Sequence, residues 1–375
     1  GIRPTKIAYG MLDEGRSEAE ILDFMKQSHY VSEEKALLGI DIAKRERDLL
    51  KDIHYEGGYS LYIGVPFCPT TCLYCSFTSY SIGVYKDKVD AYLDTMEKEM
   101  EYVAASYTEK KLVSIYIGGG TPSSISAEQM DRLCSMIEKH FDLSQVREYT
   151  IEAGRPDSTT ADKLQVMKAH GVGRISINPQ TMNDETLRTI GRAHNAAQVK
   201  EAFAMARQAG FDNINMDLIA GLPGEDLHAM KHTLEEIRAL APESLTVHSL
   251  AIKRAANLNQ QMDDYKSTIH HDMDAMHTAA QETAQTLGME PYYLYRQKNI
   301  GGNLENVGYA KPGCECLYNI LIMEEMTDII AAGAGASTKL VYHAENRVER
   351  VENCKSVDDY ISRFDEMLDR KRKAF

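Results

Sequence analysis

The hydrophobic pattern predicts an alternation of strands and helices from Tyr59 onward. Short apolar runs there alternate with longer segments whose apolar residues recur at helical spacing. The runs predict six strands, at Tyr59–Val65, Leu112–Ile117, Tyr149–Ala153, Arg174–Ile177, Asn213–Ile219 and Ser244–Leu250. The segments between them predict helices at about 86–107, 127–141, 159–170, 183–208 and 227–240. This order favours βαβ units and an α/β fold, a partial (β/α)6 barrel, in which ligands gather at the carboxyl ends of the strands.

The two ends of the chain follow other patterns. Ser17 and Glu20 have capping-box spacing, and Ser32 precedes a second acidic first turn, so residues 5–54 predict two or three short helices. Residues 258–287 predict a long helix, and the aromatic run at 292–299 predicts a strand. We therefore expect a helical lead-in at 1–57 that continues a longer amino-terminal region, a core domain at 58–256, and a small α+β domain at 257–375.

Composition narrows the class of protein. The 375 residues are 43% hydrophobic and 26% charged, which is ordinary for a soluble globular protein. No apolar run approaches a membrane span and no signal peptide is recognisable, so we expect a cytoplasmic protein. The net charge of −14 argues against a nucleic-acid-binding surface, and an anionic substrate would have to meet a local basic pocket.

Three of the seven cysteines lie directly after the first predicted strand. Cys68, Cys72 and Cys75 have the spacing C-x3-C-x2-C, which suits three corners of a 4Fe-4S cluster and leaves the fourth iron open. On spacing alone a zinc site that also uses Cys314 and Cys316 stays open. A disulfide is disfavoured because nothing else suggests secretion.

The segments Tyr62-Ile63-Gly64-Val65-Pro66-Phe67-Cys68 and Cys72-Leu73-Tyr74-Cys75-Ser76-Phe77 resemble the radical S-adenosylmethionine (SAM) superfamily. They are most similar to the branch with oxygen-independent coproporphyrinogen III oxidase and its haem-chaperone relatives. In that superfamily SAM chelates the open iron, and an electron from the cluster cleaves SAM to methionine and a 5'-deoxyadenosyl radical. The resemblance implies a radical SAM barrel with a 4Fe-4S cluster and SAM as cofactors, the three cysteines being its catalytic cluster ligands.

Motifs after the later strands extend the resemblance. They are Gly118-Gly119-Gly120-Thr121-Pro122, the Glu152 and Asp217 blocks, and Gln180 followed by Ile190-Gly191-Arg192-Ala193-His194, which we expect on a helix. The SAM-binding residues that the resemblance implies are Tyr62, Gly119, Gly120, Glu152, Gln180, Arg192, Asp217 and Ala251. Tyr74 and Thr121 are candidates for a second SAM.

The resemblance implies oxidative decarboxylation of coproporphyrinogen III to protoporphyrinogen IX, with a flavodoxin- or ferredoxin-like electron donor. The best-known oxidase has a fourth cysteine at the position of Phe77 and a histidine at the position of Gly64, and Phe77 is shared with the haem chaperones. A haem-binding chaperone, a methyltransferase and a haem-opening enzyme are therefore kept as alternatives. Candidates for binding substrate carboxylates are Arg155, Arg174, Lys253, Arg254 and Arg296, since arginine suits bidentate pairing.

Overall fold

The computed structural model describes residues 3–51, 53, 57–75, 79–251, 272–296 and 304–375. Its strands are β1 (Gly58–Val65), β2 (Phe67–Cys68), β3 (Tyr80–Ser81), β4 (Lys111–Gly119), β5 (Glu148–Gly154), β6 (Arg174–Ile177), β7 (Ile214–Ala220), β8 (Ser244–Ser249), β9 (Glu290–Tyr295), β10 (Asn306–Ala310), β11 (Asp328–Ala332), β12 (Ser337–Tyr342) and β13 (Arg347–Glu352). Its α-helices are α1 (Thr5–Asp13), α2 (Glu18–His29), α3 (Glu33–Leu50), α4 (Ile82–Tyr85), α5 (Val89–Ser106), α6 (Ala127–His140), α7 (Ala161–Ala169), α8 (Asp184–Thr189), α9 (Ala196–Gln208), α10 (Leu227–Leu240), α11 (Met273–Thr286), α12 (Leu317–Glu324), α13 (Val357–Ser362) and α14 (Phe364–Arg372).

One large sheet organises the fold. Its strand order is β13-β12-β11-β1-β4-β5-β6-β7-β8-β10-β9. The seven central strands, from β11 to β8, run parallel, and antiparallel strands extend both edges. The six predicted strands are confirmed, and the α/β fold is the expected partial barrel.

The two faces of the central strands differ in chemistry. Ile175 and Ile177 of β6 belong to the apolar core, whereas Arg174 and Ser176 of the same strand line a cavity. Side chains alternate between the faces of a strand, so this pattern puts polar groups on the inner face and apolar groups under the helices. The same alternation recurs in β7 and β8. The polar inner face is the surface on which the candidate site is built.

The predicted helix at 183–208 is wrong as a single helix. It is divided into α8 and α9, because Gly191 adopts a φ of +76° just after α8 ends. Arg192 therefore lies in the connection between two helices and not on a helix. A left-handed residue cannot continue an α-helix, and glycine adopts this conformation without steric cost.

The carboxyl-terminal region joins the same sheet. Strands β9 and β10 extend it beyond β8, and β11 pairs with β1 at the other end. The division at 256/257 and the predicted helix before residue 272 lie outside the described residues. The domain boundaries stay a prediction.

The amino-terminal helices pack against the β9 side of the sheet. The predicted Ser17–Glu20 capping box is present, and Ser32 caps α3. From α3, Arg45 donates hydrogen bonds to the carbonyl oxygens of Pro291 and Ala310. Within the described ranges, we find no helix with the length and apolar character needed to cross a membrane.

Candidate active site

A cavity of about 620 Å³ lies on the polar face of the sheet, at the carboxyl ends of the parallel strands. All thirteen residues that the sequence predicts as cluster or SAM ligands line it. They are Tyr62, Cys68, Cys72, Tyr74, Cys75, Gly119, Gly120, Thr121, Glu152, Gln180, Arg192, Asp217 and Ala251. The residues are therefore close enough to act together, and their individual roles stay predictions.

The loop that carries the cysteines is tied to the turn between α8 and α9. The backbone N–H of Leu73 donates to the carbonyl oxygen of Ile190 at 2.9 Å, and Thr70 Oγ1 donates to that of Gly191 at the same distance. These bonds satisfy polar groups of an irregular loop that otherwise lacks secondary structure. They also fix where the cysteines enter the cavity.

The surroundings of the cysteines fit an anionic metal cluster. Cys68 and Cys72 are buried, Cys75 is half-buried, and Thr121 Oγ1 donates a hydrogen bond to Cys68 Sγ at 3.4 Å. The guanidinium of Arg155 lies 3.9 Å from Cys72 Sγ. Burial raises the pKa of the Cys68 thiol to about 11, so iron binding has to displace its proton. Nearby cations and a hydroxyl donor stabilise the thiolates that a cluster requires.

The zinc alternative is not supported by the positions of the other cysteines. Cys316 Sγ donates to Glu148 Oε1 at 3.4 Å, and Glu148 is the first residue of β5. Cys316 thus lies near the amino end of a strand, while Cys68 follows the carboxyl end of one. All seven cysteines lie in the described ranges, where none forms a disulfide.

The glycine motif at the end of β4 allows its backbone to pack directly against the backbone at the start of the cysteine loop. A Cβ at Gly120 would lie 2.7 Å from the carbonyl oxygen of Phe67, and Gly119 has a φ of +105°. The Gly120 N–H donates to the Val65 carbonyl oxygen at 2.8 Å. Glycine is required here because any side chain would push β4 away from the start of the cysteine loop.

Two carboxyl groups on the inner face differ in charge state. Burial raises the pKa of Glu152 to about 7, although Tyr116 donates a hydrogen bond to its Oε1. Burial also disfavours charge on Asp217, but the nearby His248 ring and a hydrogen bond from Asn215 outweigh it and hold the pKa of Asp217 below its usual range. Near neutral pH, Asp217 is therefore ionised and Glu152 is close to its midpoint.

Gln180 has an unusual backbone conformation, and Arg192 is a buried cation. Gln180 has a φ of +66°, fixed by backbone bonds of 3.0 Å with Asp217 and Ile219 on either side of Leu218. Arg192 donates from Nη1 to the Asn178 carbonyl oxygen at 2.7 Å and from Nη2 to the Tyr74 hydroxyl at 3.2 Å. Strained backbone and buried cations are common at binding sites, where the surrounding structure maintains them.

The candidate carboxylate-binding residues lie in different environments. Arg155 is occupied by a bidentate pair with Asp157, at 3.0 and 2.7 Å, so its prediction as a substrate clamp is not supported. Arg296 lies 3.6 Å from Glu305. Lys253, Arg254 and Phe77 lie outside the described residues. Arg174 alone of the three described candidates is buried and lines the cavity without a bidentate partner.

Several residues of the cavity were missed by sequence reasoning. Tyr116 and Tyr318, which were not predicted, stack with the predicted residue Tyr62. Ring centroids are 6.3 Å apart for Tyr62 and Tyr116 and 4.5 Å apart for Tyr116 and Tyr318. His248 accompanies Asp217, with Nε2 3.8 Å from Oδ2. Polar residues at every second strand position were a usable signal for Tyr116 and His248. The sequence contains no comparable signal for Tyr318, which comes from the carboxyl-terminal region.

Comparison with known proteins agrees with this geometry. A model of the radical SAM superfamily matches residues 62–237. The oxygen-independent coproporphyrinogen-III oxidase-like protein HemZ of Bacillus subtilis is 42% identical over the whole of this chain and 75% of its own length. The chain belongs to the radical SAM superfamily.

Further relatives lie in the same branch of the radical SAM superfamily. The heme chaperone HemW of Bacillus subtilis is 40% identical over 74% of this chain and 70% of its own length. The fold matches the structure of the coproporphyrinogen III oxidase HemN of Escherichia coli with a TM-score of 0.67, at 22% identity, over 82% of this chain and 69% of that one. As in other radical SAM proteins, the cofactors are a 4Fe-4S cluster and SAM.

Proposed function

We propose that the protein is a radical SAM oxidoreductase that converts coproporphyrinogen III to protoporphyrinogen IX without oxygen, in haem biosynthesis. The relative that spans the whole chain is named as oxidase-like, which supports this reaction over others of the superfamily. Each of two propionate side chains would give one hydrogen atom to the radical that the cofactors supply, would then lose carbon dioxide and pass one electron to a one-electron acceptor, and would become a vinyl group. A flavodoxin- or ferredoxin-like protein would donate electrons to the enzyme.

The observation that carries the proposal is the extent of the cavity. It continues beyond the predicted SAM-binding residues to a wall of tyrosines, Tyr116, Tyr293 and Tyr318. Tyrosine rings offer broad apolar faces with polar tips, and aromatic groups stack on them at the separations seen between Tyr116 and Tyr318. A flat macrocycle with polar substituents suits such a wall.

The chain's own residues would supply position and charge. Cys68, Cys72 and Cys75 would hold the cluster, and the bound cofactors supply a radical that can remove hydrogen from an unactivated carbon, which side-chain acids and bases cannot do. Asp217, ionised and held by Asn215 at 2.8 Å, offers a fixed acceptor for the nucleoside. Glu152 would meet the positive charge of SAM on the same face.

A haem-binding chaperone is the second candidate. It is favoured by the 40% identity to a heme chaperone over 74% of the chain. Such a protein would keep the cluster and SAM residues and use the tyrosine wall to bind haem, which it would transfer without decarboxylation. Tight haem binding with no loss of carbon dioxide from coproporphyrinogen III would support this candidate.

The deciding experiment follows two products together. The protein is reconstituted anaerobically and given reductant, SAM and coproporphyrinogen III, and porphyrin masses and 5'-deoxyadenosine are measured over time. Two successive decarboxylations that track deoxyadenosine would support the oxidase, and Cys72→Ala should abolish both. Cys354→Ala, which changes a thiol outside the cavity, is the matched control and should retain both. Deoxyadenosine without decarboxylation would contradict the proposed substrate.

A further inference from the structure

Arg174 is a buried cation with unused hydrogen-bonding capacity. Only 4% of its surface is exposed, and Nη2 is 3.3 Å from Ser244 Oγ. Within the part of the chain that the structure describes, its Nε has no hydrogen-bond partner and no carboxylate forms an ion pair with it. Cys316, Tyr292 and Glu148 act on Arg174 electrostatically, and Arg174 acts in the same way on Glu152.

This situation differs from that of the other arginines at the cavity. Arg155 forms a bidentate pair with Asp157, and Arg192 donates to a carbonyl and to a hydroxyl oxygen. A charge removed from water is costly unless it is paired and hydrogen-bonded. Arg192 Nε also lacks a hydrogen-bond partner among the described residues, but two other nitrogens of Arg192 donate. Arg174 donates the fewest hydrogen bonds of the three, and it lines the cavity.

Strand register gives the depth of Arg174. Tyr62, Tyr116, Thr150 and Arg174 are aligned across β1, β4, β5 and β6. Gly119, at the level of the cysteine loop, lies three residues beyond Tyr116, which corresponds to roughly 10 Å along a strand. Arg174 therefore lies at the deep end of the cavity, below the strand ends and on the side of the stacked tyrosines.

We propose that Arg174 binds a carboxylate of the substrate, and specifically a propionate other than the one that reacts. The inference rests on the proposed substrate class. The reacting group has to be near the cofactors at the strand ends, whereas Arg174 is about three residues deeper. A tetrapyrrole lying against Tyr116 and Tyr318 can present one propionate toward the strand ends and another to the guanidinium of Arg174. The carboxylate would complete the pairing of the buried cation by charge-assisted hydrogen bonds.

The test compares an acid with its ester. Coproporphyrin III, the stable oxidised form, and its tetramethyl ester are titrated into the cluster-loaded protein, and dissociation constants are taken from the porphyrin absorbance. In Arg174→Gln we expect the acid to bind roughly ten- to a hundredfold more weakly and the ester to bind with little change. Arg238→Gln, which alters an exposed arginine outside the cavity, should leave both constants unchanged.

Arg174→Lys provides a second variant that keeps the charge. Lysine lacks the planar fork of arginine, so the preference for acid over ester should fall without being lost. Equal weakening of acid and ester in Arg174→Gln, or an unchanged preference in both variants, would overturn the proposal. If Arg174→Gln does not fold by circular dichroism, the lysine variant still decides between these outcomes.

The binding test is independent of turnover. Loss of acid preference in Arg174→Gln, in a protein that releases no carbon dioxide from coproporphyrinogen III, would support the role of Arg174 and reject the oxidase. If the unaltered protein decarboxylates coproporphyrinogen III but binds the acid and the ester equally well, the oxidase is supported and the role of Arg174 is rejected.

Discussion

Arg155 donates two hydrogen bonds to Thr70, at 3.0 Å to its carbonyl oxygen and at 2.7 Å to Oγ1. Thr70 lies midway between Cys68 and Cys72, so the carboxyl end of β5 is connected directly to the loop that carries the cysteines. Asp157 fixes the guanidinium from the other side. Arg155 is thus a positioning residue for the cysteine loop, a role that its sequence context did not reveal.

We predict that Arg155→Gln speeds the loss of the cluster. Removing charge-assisted hydrogen bonds that restrain the loop should raise the rate of cluster release to a chelator by about tenfold. The rate is measured from the decay of the visible absorbance of the cluster. Arg238→Gln serves as the control and should release its cluster at the unaltered rate. Equal rates in both variants would show that Arg155 does not restrain the loop.

The pKa of Glu152 predicts a pH dependence of SAM binding. Because burial raises this pKa to about 7, the carboxyl group is mostly neutral at pH 6 and mostly ionised at pH 8. The ionisable side chains that influence it include Asp217 and Arg174. SAM carries a positive sulfonium, so its affinity for the cluster-loaded protein should rise as the pH rises through 7, by up to about tenfold.

Glu152→Gln is the control for this titration. The variant should bind SAM more weakly at pH 8 and should lack this rise, and titration of SAM itself is common to both proteins. Isothermal titration calorimetry at pH 6, 7 and 8 gives the comparison. Ionisation of Glu152 has the opposite effect on the stability of the fold. A folded-state pKa above the unfolded value means that this group's contribution to the free energy of unfolding falls between pH 4.5 and 7. Parallel pH profiles of affinity would contradict a role for Glu152.

The backbone conformation of Gln180 predicts that one substitution raises stability and weakens SAM binding. A non-glycine residue at a φ of +66° is strained by roughly 1–2 kcal/mol, and glycine removes that cost while adding some chain entropy. We expect Gln180→Gly to raise the free energy of unfolding by about 0.5–1 kcal/mol and to weaken SAM binding. Gln180→Asn keeps an amide and tolerates this conformation, so it should retain more affinity. Urea denaturation and calorimetry measure the two effects, and lower stability of the glycine variant would contradict the strain.

The sequence predicted the part of the site that depends on local pattern. Apolar runs identified the six strands, and short motifs at their ends identified residues that line one cavity. The contact between Tyr318 and Tyr116 was not predictable, because Tyr318 reaches Tyr116 only through the docking of α12 on the sheet. Arg155 and Arg174 were indistinguishable in sequence, since both are buried and only their partners separate them. The break at Gly191 was missed because the helical periodicity continues across it.

A buried ion pair between α5 and α14 supports the last prediction. Lys371 Nζ lies 2.6 Å from Glu99 Oε1, with side-chain exposures of 1% and 0%. Glu99 also accepts hydrogen bonds from the Gly333 N–H at 2.9 Å and from Asn353 Nδ2 at 2.7 Å. Removing the cation would leave a buried carboxylate without its counter-charge. We therefore expect Lys371→Met to lower the free energy of unfolding by about 3–5 kcal/mol.

Adding Glu99→Gln should restore part of that loss, because the carboxylate that needs the cation is then also gone. The double variant should consequently be less destabilised than the sum of the two single variants, by roughly 1–3 kcal/mol in a cycle measured by urea denaturation. Lys373→Met, which changes an exposed lysine two residues away, is the matched control and should cost less than about 0.5 kcal/mol. Additive losses would mean that the pair does not couple. Coupling would establish that the ion pair between α14 and α5 stabilises the fold, and Glu99 also accepts a hydrogen bond from the Gly333 N–H in the loop after β11.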